Sequence, residues 1–230
     1  MANRTIGVLG GMGPDATVDF MAKVIALTPA DKDQDHIHMI VDHNPGVPNR
    51  QTAILGDGED PTPELAAMAA RLEEAGADYL VIPCNTAYVF KDAVVSASSV
   101  PLISIIDVTV ADAVAKGAEA VGVIATDGCL AAGVYQDALE KAGVKAVLPT
   151  DDEIEQFMTL CNRIKAGYQG ERVARDMAEL AKALIDRGAD AVIAGCTEIP
   201  LVLQQSALAV PLISSTDVLA AATVALARGD

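Results

Sequence analysis

The sequence predicts an α/β protein with two similar domains, each built on a parallel sheet flanked by helices. Short apolar runs alternate with longer helical patterns along the chain. The runs are almost continuously apolar, which is typical of parallel strands buried on both faces. Blocks of the first half also recur in the second half, which indicates an internal repeat.

Strands are predicted where apolar runs are bounded by turn residues. They lie at 5–10, 37–42, 78–83, 101–105, 119–125, 145–148, 190–194 and 211–213. Apolar residues at helical spacing predict the helices between them. These lie at 14–28, 62–75, 86–97, 107–116, 129–142, 152–165, 169–187, 197–206 and 215–227.

Three blocks of the first half recur in the same order in the second half. The pairs are "IGVLG" and "VGVIA", "GADYLVIPCNTAY" and "GADAVIAGCTEIP", and "VPLISIIDV" and "VPLISSTDV". This repeat predicts a first domain formed by 1–104 plus 215–230 and a second formed by 105–214. We expect a pseudo-twofold axis between them, with the helix after Ser214 folding back onto the first domain.

Composition excludes several classes of function. The chain has 230 residues, 51% of them hydrophobic, and a formal net charge of −16. This charge argues against nucleic-acid binding, which needs clustered Lys and Arg. No apolar run reaches the roughly 20 residues of a membrane span, and the start lacks a signal-type apolar core. Because zinc-type spacing is also missing, we expect a cytoplasmic protein with reduced thiols, no metal and no membrane partner.

Two cysteines occupy equivalent places in the repeat, since Cys84 and Cys196 each end a strand just before a predicted helix. A single buried cysteine is most simply a core residue, but the equivalence of the two favours a chemical role. Ligands bind beyond the carboxyl ends of parallel strands, so we expect both thiols to converge on one cleft. N–H groups at helix starts favour thiolate and bound carboxylate. The polar residues that follow the thiols are Asn85, Thr86, Thr197 and Glu198.

The run "GGMGPDA", Gly10–Ala16, formally matches the Gly-x-Gly-x-x-Ala dinucleotide fingerprint, with Asp42 as the acidic residue. Asp42 comes later than the usual spacing of about 20 residues. We favour a simpler use, in which Pro14 begins a helix and backbone N–H groups seat a carboxylate. Met12 is then a candidate substrate contact, and no nicotinamide, flavin or pyridoxal phosphate cofactor is expected.

Local cations are needed if an acidic ligand is to bind such an acidic protein. Arg50 follows the turn-rich run "HNPGVPN", and Lys165 ends a predicted helix. Solvation at the surface is the default for such residues, but these two are the candidate counter-ions. Cys129 and Cys161 lack the polar context of the other thiols, and we expect both to be packing residues. The alternative for Cys129, which lies near the loop after the first strand of the second half, is that it approaches the cleft.

The motifs "PCNTAY", "GCTEIPL", "GVLGGMGP" and "NPGVPNRQTAIL" together resemble the aspartate/glutamate racemase superfamily, most closely its aspartate racemase branch. The resemblance implies two α/β domains around a cleft, commonly a homodimer, and cofactor-independent inversion of an acidic amino acid. It implies that Cys84 and Cys196 are the acid/base thiols. The implied carboxylate contacts are Asn85, Thr86 and Thr197 for the α-carboxylate and Arg50 and Lys165 for the side chain.

The chain departs from the family pattern at Tyr88, where the family often has histidine. "GGMG" and Glu198 stand where the glutamate racemase branch usually has an acidic residue and a histidine, which favours aspartate. Two alternatives stay open. One is a related thiol-dependent diacid isomerase or decarboxylase, and the other is a non-catalytic protein that binds acidic amino acids.

Overall fold

The computed structural model describes residues 4–229, which divide into two compact units. The first comprises the described residues up to Ile105 and those from Thr216 onward, and the second is Ile106–Ser215. Each unit holds a four-stranded parallel sheet flanked by helices. The predicted fold class is therefore confirmed. Across residues 4–229, none of the helices combines the length and apolar character that crossing a bilayer requires.

The first sheet has the spatial order β2-β1-β3-β4, with all neighbours parallel. Its strands are β1 (Ile6–Gly10), β2 (Met39–His43), β3 (Tyr79–Val81) and β4 (Leu102–Ile103). The helices between these strands are α1 (Pro14–Leu27), α2 (Arg50–Leu55), α3 (Thr62–Glu74) and α4 (Lys91–Ala97).

The second sheet repeats this topology in the order β6-β5-β7-β8, again with parallel neighbours. Its strands are β5 (Ala120–Ile124), β6 (Lys145–Val147), β7 (Ala191–Ala194) and β8 (Leu212–Ser214). The helices are α5 (Ile105–Ala115), α6 (Asp127–Ala131), α7 (Val134–Lys141), α8 (Asp151–Lys165) and α9 (Glu171–Asp186), and α10 (Ser215–Arg228) follows the sheet.

Both sheets carry a glycine at the same place in the strand that starts the repeat. A Cβ on Gly7 of β1 would lie 2.8 Å from the Ala77 Cβ, and a Cβ on Gly122 of β5 would lie 2.9 Å from the Leu184 Cβ. Leu184 belongs to α9, so the missing side chain lets this helix pack directly on the strand. A Cβ on Gly7 would likewise lie 3.2 Å from the Cβ of Leu72 in α3, so the glycines of "IGV" and "VGV" allow equivalent helix-on-sheet packing in the two units.

Helix α10 follows the second sheet but belongs from Thr216 onward to the first unit. The Arg4 N–H donates to the Ala227 carbonyl over 2.9 Å, and Lys23 Nζ lies 2.6 Å from Asp217 Oδ1. In the same way α5 follows β4 of the first sheet and belongs from Ile106 onward to the second unit.

Three predicted helices are wrong in extent or in kind. The segment 86–97 begins as a 3-10 helix, Thr86–Phe90, before α4, and 129–142 is interrupted between α6 and α7 at Gly133, which has a φ of 68°. The segment 197–206 contains only the 3-10 turns Ile199–Leu201 and Gln205–Ala207. There the Gln205 side chain donates a hydrogen bond to the Val210 carbonyl and accepts one from the Leu212 N–H. These bonds connect the segment to β8, and the segment does not continue as a helix.

Helix α2 was not predicted, because "HNPGVPN" indicates a turn and only six helical residues follow it. The Asn49 side chain caps this helix by accepting a hydrogen bond from the Gln51 N–H over 2.9 Å. Arg50 is consequently the first residue of a helix, which fixes its backbone.

Candidate active site

The loops after β1, β2 and β3 lie at one edge of the first sheet, because parallel strands end on the same side. The Asn44 N–H, just after β2, donates to the Gly10 carbonyl at the end of β1 over 3.2 Å. Met12 from the glycine loop, Val47 from the loop after β2 and Cys84 from the segment after β3 belong to one buried apolar cluster. Three separate segments therefore contribute to the cluster that contains Cys84.

Cys84 is a free thiol with 6% of its surface exposed. Its N–H donates to the Ile82 carbonyl over 2.8 Å, so the chain turns directly after the strand. Asn85 and Thr86, which follow it, are also buried, and so is Tyr88 in the 3-10 helix beyond them. The thiol thus ends its strand among buried polar side chains, as the sequence predicts.

Arg50 is the first residue of α2, which packs against the 3-10 helix Thr86–Phe90 that follows Cys84. Its Nη1 donates to the carbonyls of Val47 and Pro48 over 2.9 and 2.8 Å. Its Nε is buried without a partner in the described part of the chain. A guanidinium has five N–H donors, so Arg50 braces its loop and still has donors available for an anion.

The glycine loop is closed by Thr17 of α1. The Thr17 Oγ1 accepts a hydrogen bond from the Gly11 N–H over 2.9 Å and donates to the Gly13 carbonyl over 3.0 Å. Asp42, the acidic residue of the formal fingerprint, instead accepts a hydrogen bond from Arg71 Nε over 2.9 Å. The ion pair with Arg71 therefore occupies the Asp42 carboxylate, which in a dinucleotide-binding site would accept a hydrogen bond from the ribose.

In the second unit, Cys196 follows β7 and lies in a buried cluster with Cys161 of α8 and with Glu198. The Cys196 Sγ is 3.8 Å from the Cys161 Sγ and donates a hydrogen bond to Glu198 Oε2 over 2.8 Å. The three residues are 6%, 0% and 4% exposed. Lys165, the final residue of α8, places Nζ 3.9 Å from Glu198 Oε1. A carboxylate, two thiols and one cation thus surround the end of β7.

This cluster affects its two thiols in opposite directions. The hydrogen bond with Cys161, burial and the Glu198 carboxylate all raise the pKa of Cys196 well above its ordinary value. The same hydrogen bond, together with the positive charge of Lys165, lowers the pKa of Cys161 against the effect of burial. Cys196 is accordingly a thiol at neutral pH, with Glu198 placed to accept its proton.

Gly195 determines how Cys196 leaves the strand. A Cβ at this residue would lie 2.9 Å from Cε2 of the fully buried Tyr135 and 3.1 Å from the Ile124 carbonyl oxygen. Its own N–H donates to that carbonyl over 2.8 Å. The backbone before the thiol is therefore held in a space that admits only glycine.

Several predicted site residues are brought together within their own unit. In the first unit Met12 and Cys84 share a cluster, and α2, which begins at Arg50, packs against the 3-10 helix after Cys84. In the second unit Lys165 and Glu198 lie beside Cys196. The predicted helix start after Cys196 is absent. The N–H groups of Thr197 and Glu198 nevertheless have no acceptor among residues 4–229, so they remain available to a carboxylate.

The prediction that Cys161 has no polar context is wrong, because its thiol contacts that of Cys196. A signal for this was present in the sequence. Cys161 lies four residues before Lys165 in a helical pattern, and residues at that spacing share a helix face. Gly195 was also missed as a site residue, although it directly precedes a candidate thiol.

Comparison with solved structures identifies the class of protein that this fold represents. The chain is similar to "Picrophilus torridus aspartate racemase", with a TM-score of 0.88, 27% sequence identity and coverage of 98% of this chain and 94% of that one. It also shares its fold with glutamate racemase from Francisella tularensis subsp. tularensis SCHU S4, at a TM-score of 0.71, 20% identity and coverage of 100% and 82%. The fold is that of two-domain α/β amino-acid racemases.

Sequence comparison then gives the family. The chain is 29% identical over 226 residues to "Broad specificity amino-acid racemase RacX" of Bacillus subtilis (strain 168), which covers 95% of this chain and 96% of that protein. The family model of the Asp/Glu/Hydantoin racemases matches residues 9–223. The chain belongs to the Asp/Glu/Hydantoin racemase family, and this membership supports amino-acid racemase activity.

Proposed function

We propose that the protein is a cofactor-independent racemase that interconverts L- and D-aspartate, with glutamate as the alternative substrate. The observation that carries the proposal is the pair of buried thiols, Cys84 and Cys196, at equivalent strand ends of a racemase-family chain. The name of the Picrophilus torridus relative and the "GGMG" and Glu198 departures from the glutamate racemase pattern support aspartate.

Racemisation needs a base on one face of Cα and an acid on the other face. In one direction, the Cys84 thiolate removes the α-proton and the Cys196 thiol delivers a proton to the opposite face. The raised pKa of Cys196 suits it to begin as the acid. In the other direction the roles exchange, and Cys196 must first lose its proton. Glu198 Oε2, 2.8 Å from the sulfur, is the group that accepts this proton.

Activation of a thiol is a minor part of the catalysis. Lowering a thiol pKa from about 8.5 to about 7 corresponds to only about 2 kcal/mol. Enzymes lower barriers by about 8–23 kcal/mol in all. The larger share comes from donors aimed at the α-carboxylate as it gathers enolate-like charge. The N–H groups of Thr197 and Glu198 and the side chains of Asn85 and Thr86 supply such donors.

The side-chain carboxylate of the substrate needs cations, since the protein carries a net charge of −16. We assign this role to Arg50 and Lys165. Arg50 keeps donors beyond the two carbonyls that it bonds, so it can take up a carboxylate. Lys165 places its positive charge 3.9 Å from Glu198, beside Cys196.

The test of the function is incubation of the purified protein with L-aspartate or L-glutamate in deuterated water without added cofactor. We expect D-aspartate to form, with deuterium at Cα, because the returned proton comes from a thiol that exchanges with solvent. Chiral chromatography with mass spectrometry measures both products. Loss of a carboxyl group as CO₂ would contradict the proposal in favour of a decarboxylase. Binding of aspartate without any α-exchange would favour a binding protein.

We expect Arg50→Ala and Lys165→Ala each to lower kcat/KM for aspartate about tenfold, mostly through KM. Loss of one charge-assisted contact is worth about 1.5–3 kcal/mol when the pair is desolvated, and Lys165 is 37% exposed, which favours the lower end. Lys141→Ala is the matched control, because Lys141 is an exposed lysine that also ends a helix, α7. Steady-state kinetics of the three variants measure kcat and KM. Unchanged values for both Arg50→Ala and Lys165→Ala would contradict the assignment of these residues to the substrate carboxylate.

A further inference from the structure

We infer that Cys161, Cys196 and Glu198 form a binding site for a thiophilic divalent metal ion, typified by Zn²⁺, and that an ion bound there inhibits the enzyme. One ligand atom from each residue lies within 4.8 Å of the other two, and all three residues are buried. The inhibition rests on the proposed role of Cys196, whereas the binding of the ion does not.

The distances between the ligand atoms match the coordination that zinc prefers. Two sulfurs that each lie about 2.3 Å from a tetrahedral zinc ion are about 3.8 Å apart. The Cys161 and Cys196 sulfurs are 3.8 Å apart. A sulfur and a carboxylate oxygen on the same ion are about 3.5 Å apart. Glu198 Oε2 is 2.8 Å from the Cys196 Sγ, so the carboxylate needs only to turn slightly aside as the ion replaces the shared proton.

The kind of ion follows from the kind of ligand. Thiolates select zinc-like ions over Mg²⁺ and Ca²⁺, which prefer oxygen ligands. Two thiolates and one carboxylate leave the ion–ligand group with a net negative charge, which Lys165, 3.9 Å from Glu198, offsets. Three protein ligands leave a fourth tetrahedral position for water.

The site is held by parts of the fold that pack tightly. Cys161 and Cys196 belong to one apolar core, which α8 shares with β7 and α9. Because the sulfurs are already in place, binding requires no movement of a helix. An ion at this site would hold the Cys196 sulfur as a metal-bound thiolate, which can neither deliver a proton to Cα nor remove one.

Metal binding is tested on reduced, metal-free protein by titration with Zn²⁺ in a calorimeter and with Cd²⁺ by ultraviolet thiolate-to-metal absorption. We expect about one ion per chain and an absorption band that reports sulfur ligands. Cys161→Ser should weaken binding at least tenfold, since loss even of groups that only support metal ligands costs about 10–100-fold. Cys129→Ser is the matched control, another buried thiol that lies outside this cluster, and it should bind the ion like the wild type.

A second variant tests the site even if the Cys161→Ser protein fails to fold. Glu198→Gln keeps both thiols and should weaken Zn²⁺ binding while leaving the Cd²⁺–thiolate absorption visible at higher cadmium concentration. Wild-type affinity in both Cys161→Ser and Glu198→Gln, or equal loss in Cys129→Ser, would overturn the site.

The activity measurement separates the two proposals. Zn²⁺ should inhibit racemisation by the wild-type protein at about one ion per chain, and a chelator should restore it. If the ion binds through sulfur but racemisation continues, the catalytic role of Cys196 is wrong and the metal site stands. If the protein racemises aspartate but binds no ion, the metal site is wrong and the proposed function stands.

Discussion

Cys84→Ala and Cys196→Ala should each abolish the racemisation of aspartate, because inversion requires a proton-transfer group on both faces of Cα. Both thiols are buried just beyond the carboxyl ends of β3 and β7. Chiral analysis of the product measures the loss. Full racemase activity in either variant would rule out the two-thiol mechanism.

The single variants should nevertheless keep a partial reaction. The remaining thiolate can remove and return a proton on its own face, so each variant should exchange the α-hydrogen of one enantiomer with deuterium. Cys84→Ala and Cys196→Ala should therefore label opposite enantiomers. The control is Cys129→Ala, which removes a thiol that is 1% exposed and outside the candidate site. Labelling of the same enantiomer by both variants would show that the thiols do not serve opposite faces.

Gly195→Ala should lower kcat/KM by on the order of 100-fold, since small displacements of a catalytic group have effects of that size. The new Cβ would meet the Tyr135 ring at 2.9 Å and the Ile124 carbonyl oxygen at 3.1 Å. Tyr135 is fully buried and cannot move aside, so the segment that carries Cys196 must shift. We also expect unfolding free energy to fall by about 1–3 kcal/mol, as overpacked cores show. Kinetics and thermal unfolding measure the two effects.

Gly170→Ala is the matched control for this substitution. A Cβ on Gly170 would meet no atom within 4 Å, and the residue has an ordinary φ of −79°. This variant should keep the kcat/KM of the wild type. If Gly195→Ala keeps it as well, the position of Cys196 does not depend on the space beside Tyr135.

The strands could be predicted from the sequence because their signal is local. Each apolar run, such as "VGVI" in β5, is bounded by residues that end a strand, and the repeat fixes the same order in both halves. Cys84 and Cys196 could be placed at strand ends for the same reason. The segment 197–206 was mispredicted as a helix because its structure depends on Gln205 bonds to residues near β8, a tertiary contact that apolar spacing does not report.

The composition of the site around Cys196 could be predicted only in part. Lys165 was predicted from its charge and its place at a helix end. The contact between Cys161 and Cys196 joins residues 35 positions apart, and no local pattern gives the packing of α8 against the end of β7. The spacing of Cys161 and Lys165 on one helix face shows where the missing information lay. Because Lys165 was assigned to the site, the shared helix face would have assigned Cys161 to the site as well.

The exchange of helices between the two sheets has a consequence for synthesis on the ribosome. Helix α10, which bonds Arg4 and Lys23, is translated only after the whole of the second unit. The nascent first unit must therefore wait, with the α1 surface uncovered, while more than 100 further residues emerge at about 5–20 residues per second. The second unit has α5 available from the start, so it can fold before the first is complete. The unit that is translated second can thus be completed before the unit whose translation begins first.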